Sequence, residues 1–170
     1  MKSKWRMHRA GLVNFWYYDE EEFYFADGKL LLRGSNGSGK SVTMQSLIPL
    51  LLDGKKSPDR LDPFGSRARR IEDYLLGEKE LVERDERTGY LYLEYKREHT
   101  DQYLTTGIGL QARNHAPLDF WGFVIHDNRR LGHDLWLYKT EYDVDGGKEQ
   151  KIPLSRRELE NLIGDGGKVV

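Results

Sequence analysis

The stretch Gly34-Ser35-Asn36-Gly37-Ser38-Gly39-Lys40-Ser41 decides how the rest of the chain is interpreted. It fits the pattern G-x-x-x-x-G-K-[ST] at every position, which is typical of loops that hold the phosphates of a nucleotide. Glycines let the backbone bend so that successive N–H groups point inward, and a helix that begins beside them adds the positive end of its dipole. The stretch therefore predicts a polyphosphate-binding loop.

The residues on either side of the motif predict a strand before the loop and a helix after it, which is the usual setting of phosphate-binding loops. Residues 29–33 form a short apolar run typical of a strand, and residues 40–52 carry apolar side chains at helical spacing. Lys40 is the expected catalytic residue because its ammonium would reach the β- and γ-phosphates, and the Ser41 hydroxyl is the expected Mg²⁺ ligand. The predicted nucleotide-binding residues are Gly34, Ser35, Asn36, Gly37, Ser38, Gly39, Lys40, Ser41 and Val42.

Hydrolysis also needs an acidic residue near the metal and a group that positions water. Asp53 lies on the loop's own predicted helix, and Asp127 with Asn128 is typical of a turn between antiparallel strands. Asp119 belongs to a D-x-x-G pattern, but no guanine-reading N-K-x-D follows it, which argues against a GTPase. We therefore expect the isolated chain to bind a nucleotide with little or no turnover, and leave open whether it is an enzyme by itself.

Composition limits the class of protein. At 170 residues the chain is predicted to be a single domain, 1–170, and its net charge of -1 argues against binding nucleic acid by bulk charge. It has no cysteine, so disulfides and thiol chemistry are excluded. Its longest apolar run, residues 47–52, is too short to cross a bilayer. These features predict a cytoplasmic protein without a membrane partner.

The remaining pattern predicts several local elements. A hairpin is expected over 5–26 with a turn at Asp27-Gly28, and Ser155 begins a helix that runs to Ile163 with capping-box spacing. In the first strand Trp5 and Met7 are expected to face inward while the basic side chains beside them stay in water. Period-two strands are predicted at 90–95, 103–112, 120–125 and 135–138. The fold class predicted is α/β, a P-loop NTPase with a mixed sheet around the loop's helix and an added antiparallel meander.

The motif and its surroundings resemble the N-terminal half of an ATPase head of the SMC/Rad50 branch of ABC ATPases. The opening Gly11-Leu12-Val13-Asn14-Phe15 and the segment Leu32 to Ser41 are similar to the start of those heads. Within the branch, Asn14-Phe15-Trp16 and residues 61–70 look most like the SMC-like JetC subunits of bacterial Wadjet anti-plasmid systems, which are related to the MukB and MksB condensins.

This resemblance implies a longer protein with a coiled coil after the present lobe. The C-terminal half of the head would bring the Walker B acid and the signature motif, and two heads would sandwich ATP and Mg²⁺. DNA would be the substrate that the ATPase acts on, with kleisin-type subunits as further partners. Arg67, Arg69 and Arg70 lie where such heads carry arginines linked to DNA-stimulated ATPase activity. The alternative is that these arginines are ordinary solvent-exposed residues at the start of a helix.

Two other classes of function stay open at this stage. A self-contained small P-loop kinase or NTP hydrolase would need Asp53, Asp119 or Asp127 at the metal. An interaction module with a vestigial loop would tolerate loss of Lys40. The basic residues around Trp5 are consistent with either a nucleic-acid contact or an ordinary solvated strand.

Overall fold

The computed structural model describes residues 2–15, 18–30, 86–113, 116–142 and 144–170. These residues form a six-stranded sheet with the strand order β2-β1-β3-β4-β5-β8, and a separate two-stranded sheet of β6 and β7. The strands are β1 (Trp5–Phe15), β2 (Tyr18–Tyr24), β3 (Glu86–Arg97), β4 (Tyr103–Arg113), β5 (Asp119–Ile125), β6 (Tyr138–Tyr142), β7 (Glu149–Pro153) and β8 (Gly167–Val169). Helix α1 (Arg156–Ile163) is followed by a 3₁₀ turn at Gly164–Gly166.

The predicted fold class, an α/β head with a mixed sheet around a helix, is wrong for this structure. Every strand pair in the six-stranded sheet is antiparallel, and α1 is the single α-helix of the described residues. Parallel pairing needs a crossover connection of a dozen or more residues, whereas β3, β4 and β5 follow one another through short connections that favour antiparallel neighbours. The predicted helix at 40–52 lies outside the described residues.

Several local elements lie where the sequence places them. The hairpin of β1 and β2 is present, and β3, β4 and β5 contain the period-two segments. The last predicted strand, 135–138, is wrong in its bounds, because Leu135 makes an isolated bridge with Leu131 and β6 begins at Tyr138. The hydrophobic spacing there reflects burial of loop side chains, and such a short run does not distinguish a loop from a strand.

One face of the six-stranded sheet is built from aromatic rings that lie over glycines. Gly109 pairs with Trp121 and Gly107 pairs with Phe123 in the β4–β5 ladder. A Cβ atom on Gly109 would lie 2.2 Å from Trp121 Cε2, so the ring occupies the space that a side chain would need. Tyr90 packs edge-on against both Trp121 and Phe123, with ring centroids 5.9 and 6.0 Å apart.

The C-terminal part of the chain covers this aromatic face. Side chains from the segment after β5 and from α1 are buried against the rings, namely Leu131, Leu135, Leu137, Leu154, Leu159 and Ile163. The Tyr90 hydroxyl donates to the Leu154 carbonyl at 2.6 Å, which satisfies the one polar atom of a buried ring. At the end of α1, Arg129 donates to the carbonyls of Leu162 and Ile163, groups that a helix end leaves without intrahelical partners.

Helix α1 begins with the predicted capping box. The Glu158 backbone N–H donates to Ser155 Oγ at 3.2 Å, and the Ser155 N–H donates to Glu158 Oε1 at 3.2 Å. Replacing Ser155 by alanine removes one of these bonds, and we expect it to lower the free energy of unfolding by about 1 kcal/mol. Chemical denaturation measures this loss. The matched control is Asn161→Ala at an exposed position of the same helix, and an equal loss in both variants would contradict the capping role.

Candidate functional site

The predicted phosphate loop, Gly34 to Val42, lies outside the described residues, as do Arg67, Arg69, Arg70 and Asp53. Its roles therefore stay predictions. Leu30 is the last described residue before the loop, and it packs against the cluster of Ala10 and Leu93 in strands β1 and β3. The sheet thus holds the chain immediately ahead of the motif.

A tight turn directs the chain from β2 toward Leu30. Ala26 and Lys29 exchange two backbone hydrogen bonds of 2.9 Å, and the two residues between them, Asp27 and Gly28, both have positive φ. Two residues with positive φ are what a type I′ turn requires, and Asp-Gly is a favoured sequence for it. The turn predicted at this dipeptide is confirmed.

A buried charged cluster lies on the opposite side of β1 and β3 from Leu30. In the β1–β3 register Met7 pairs with Tyr95 and Arg9 pairs with Glu94, so His8 is an extra residue that forms a bulge. Arg9 and Glu94 are both fully buried. Arg9 Nη2 donates to Glu94 Oε2 at 2.8 Å and to the Leu131 carbonyl at 2.6 Å, and Arg9 Nη1 donates to Glu22 Oε1 at 3.0 Å.

Arg130 completes this cluster from the segment after β5. Its Nη2 donates to Glu94 Oε1 at 2.9 Å and its Nε to Glu94 Oε2 at 3.1 Å, while its guanidinium lies 4.2 Å from the Tyr103 ring centroid. The bond to Glu94 raises the pKa of Arg130. Both oxygens of Glu94 are therefore held by guanidinium groups, which makes the cluster a structural clamp between β1, β3 and the covering segment rather than an acid or base.

Two sequence predictions for β1 are wrong. Arg9 is buried rather than solvated, and Trp5 is 46% exposed rather than facing inward. An extra residue in a strand shifts the alternation of all residues on one side of it, so strict alternation fails across His8. The order of residues does not reveal the bulge, because it depends on the partner strand β3.

His8 lies beside the clamp between two tyrosine rings. Its ring centroid is 6.0 Å from that of Tyr24 and 5.9 Å from that of Tyr103, and its Nε2 lies 3.9 Å from Glu94 Oε1. Burial, followed by the nearby cations Arg130, Lys96 and Arg9, lowers the pKa of His8 against the opposing effect of Glu94. His8 is therefore neutral at neutral pH and available as a hydrogen-bond donor or acceptor.

The described candidates for a catalytic acid do not form a metal site. Asp127 Oδ2 accepts a bond of 2.5 Å from Arg129 Nε, and its Oδ1 accepts the Arg129 backbone N–H at 3.2 Å. Asp119 begins β5 opposite Gln111. Among the described residues no group of three histidine or acidic side chains is placed to hold a metal ion. Asp127 thus stabilises the bend after β5 and orients Arg129, which binds the end of α1.

Asn14, in the segment that carries the family resemblance, has a clear structural role. It has a φ of 50°, and its Oδ1 accepts from Arg87 Nε at 3.1 Å and Nη2 at 3.0 Å, while its Nδ2 donates to the Thr88 carbonyl at 2.8 Å. Sequence reasoning missed Arg87 together with Glu94 and Arg130. For Glu94 a signal existed, since it is a charge within the apolar alternation of residues 90–95.

No family model matches the chain, and no curated protein or solved structure matches it either. Within the ranges that the structure describes, no helix is long and apolar enough to span a membrane. Function is therefore inferred from the residues of this chain and their chemistry.

Proposed function

We propose that the chain binds Mg·ATP through the loop Gly34 to Ser41 as the nucleotide-binding half of an SMC-like ATPase that acts on DNA. The observation that carries the proposal is the complete match of eight consecutive residues to the phosphate-loop pattern. The support from the structure is the position of Leu30, which is anchored on Ala10 and Leu93 just ahead of that loop.

Each residue of the loop has a distinct part in this proposal. The backbone N–H groups around Gly37 and Gly39 would hold the phosphates, Lys40 would neutralise charge on the β- and γ-phosphates, and Ser41 would contribute an oxygen ligand to Mg²⁺. Hydroxyl and phosphate oxygens are the ligands that Mg²⁺ prefers. The bound metal supplies charge neutralisation on the phosphates.

Hydrolysis in this proposal depends on parts supplied from elsewhere. The C-terminal half of the head brings the Walker B acid and the signature motif, and a second head closes the ATP sandwich. DNA binds to the assembled protein, with Arg67, Arg69 and Arg70 as candidate residues for its stimulation of turnover, and kleisin-type subunits bridge the heads. The ion pair of Asp127 with Arg129 supports this division, because that carboxylate is already engaged in holding the end of α1.

Substitution of Lys40 tests nucleotide binding directly. Calorimetric titration of the full chain with Mg·ATP is expected to show binding that Lys40→Ala weakens by about tenfold or more, since a charge-assisted bond contributes about 1.5–3 kcal/mol. Lys29→Ala is the matched control, because Lys29 is exposed and joins the Asp27–Gly28 turn through its backbone. Equal affinity in the wild type and Lys40→Ala would overturn the proposal and favour the interaction module with a vestigial loop.

Turnover measured on the same preparation separates a half-head from a complete enzyme. We expect phosphate release at the rate of a protein-free blank. Release that depends on Lys40 and disappears in Asp119→Asn or Asp127→Asn would instead identify a self-contained small P-loop kinase or hydrolase.

A further inference from the structure

We draw no further inference here: the strongest candidate, the apolar face of the six-stranded sheet that lies opposite the aromatic face and includes Leu12, Leu91 and Leu110, carries nothing, because no part of the chain that the structure describes shows what covers it.

Discussion

Replacing Glu94 by glutamine is expected to lower the free energy of unfolding by about 3–5 kcal/mol. The carboxylate is fully buried and accepts three hydrogen bonds from the guanidinium groups of Arg9 and Arg130. Without its charge, Arg9 keeps only the half-buried Glu22 as an ionic partner. A buried cation that loses its main counter-ion costs more than the ion pair itself contributes, because its desolvation is no longer compensated.

Chemical denaturation followed by tryptophan fluorescence measures this loss. The matched control is Glu98→Gln, which removes a carboxylate from the exposed ion pair with Arg6 and should have a much smaller effect. The double variant Arg9→Met with Glu94→Gln should be less destabilised than the sum of the two single variants, since the two residues share one interaction. Additive losses, or equal losses for Glu94→Gln and Glu98→Gln, would contradict the role of the buried clamp.

Gly109→Ala is expected to lower the free energy of unfolding by about 3 kcal/mol, at the upper end of the usual cost of overpacking. The new Cβ would lie 2.2 Å from both Cε2 and Nε1 of Trp121, well inside normal contact distance. Trp121 is buried and packs edge-on against Tyr90, so any shift of its ring away from the new methyl group disturbs the packing of the aromatic face. Thermal unfolding followed by circular dichroism should show a melting temperature lower by about 6–12 °C.

The control for this change lies on the neighbouring strand of the same ladder. A Cβ on Gly122 would have as its nearest neighbour Val170 Cγ2 at 3.3 Å, the end of an exposed side chain that can move away. Gly122→Ala is therefore expected to leave the melting temperature nearly unchanged. Equal melting temperatures for Gly109→Ala and Gly122→Ala would show that the aromatic face tolerates a side chain beneath Trp121.

Local patterns account for the elements that the sequence predicted correctly. Two such elements are the capping box at Ser155 and Glu158 and the turn at Asp27-Gly28. Each depends on residues at most three positions apart, so its hydrogen bonds and backbone dihedral angles can be predicted from the sequence. The phosphate-loop motif is local in the same sense. It predicts a nucleotide site from eight consecutive residues, and the calorimetric test with Lys40→Ala examines that prediction.

The fold class was not predictable in this way. Strand–loop–helix order around Gly34 suggested a mixed sheet, whereas the described strands pair antiparallel with the order β2-β1-β3-β4-β5-β8. Strand partners are selected by contacts between distant segments. Strands β1 and β3, for example, are adjacent although 70 residues separate Phe15 from Glu86 along the chain. Periodicity shows which residues prefer a strand, but it does not specify the neighbour.

The same distinction applies to the charged residues. The sequence by itself determined the composition, the phosphate-loop motif, the turn at Asp27-Gly28 and the start of α1, because each follows from residue types at short spacing. Only the tertiary structure decided that Arg9 is buried, that Glu94 binds both Arg9 and Arg130, and that Lys96 lies opposite Arg6. These contacts depend on the bulge at His8 and on segments up to 122 residues apart, as from Arg9 to Leu131. Their energies depend on burial, which belongs to the folded chain as a whole.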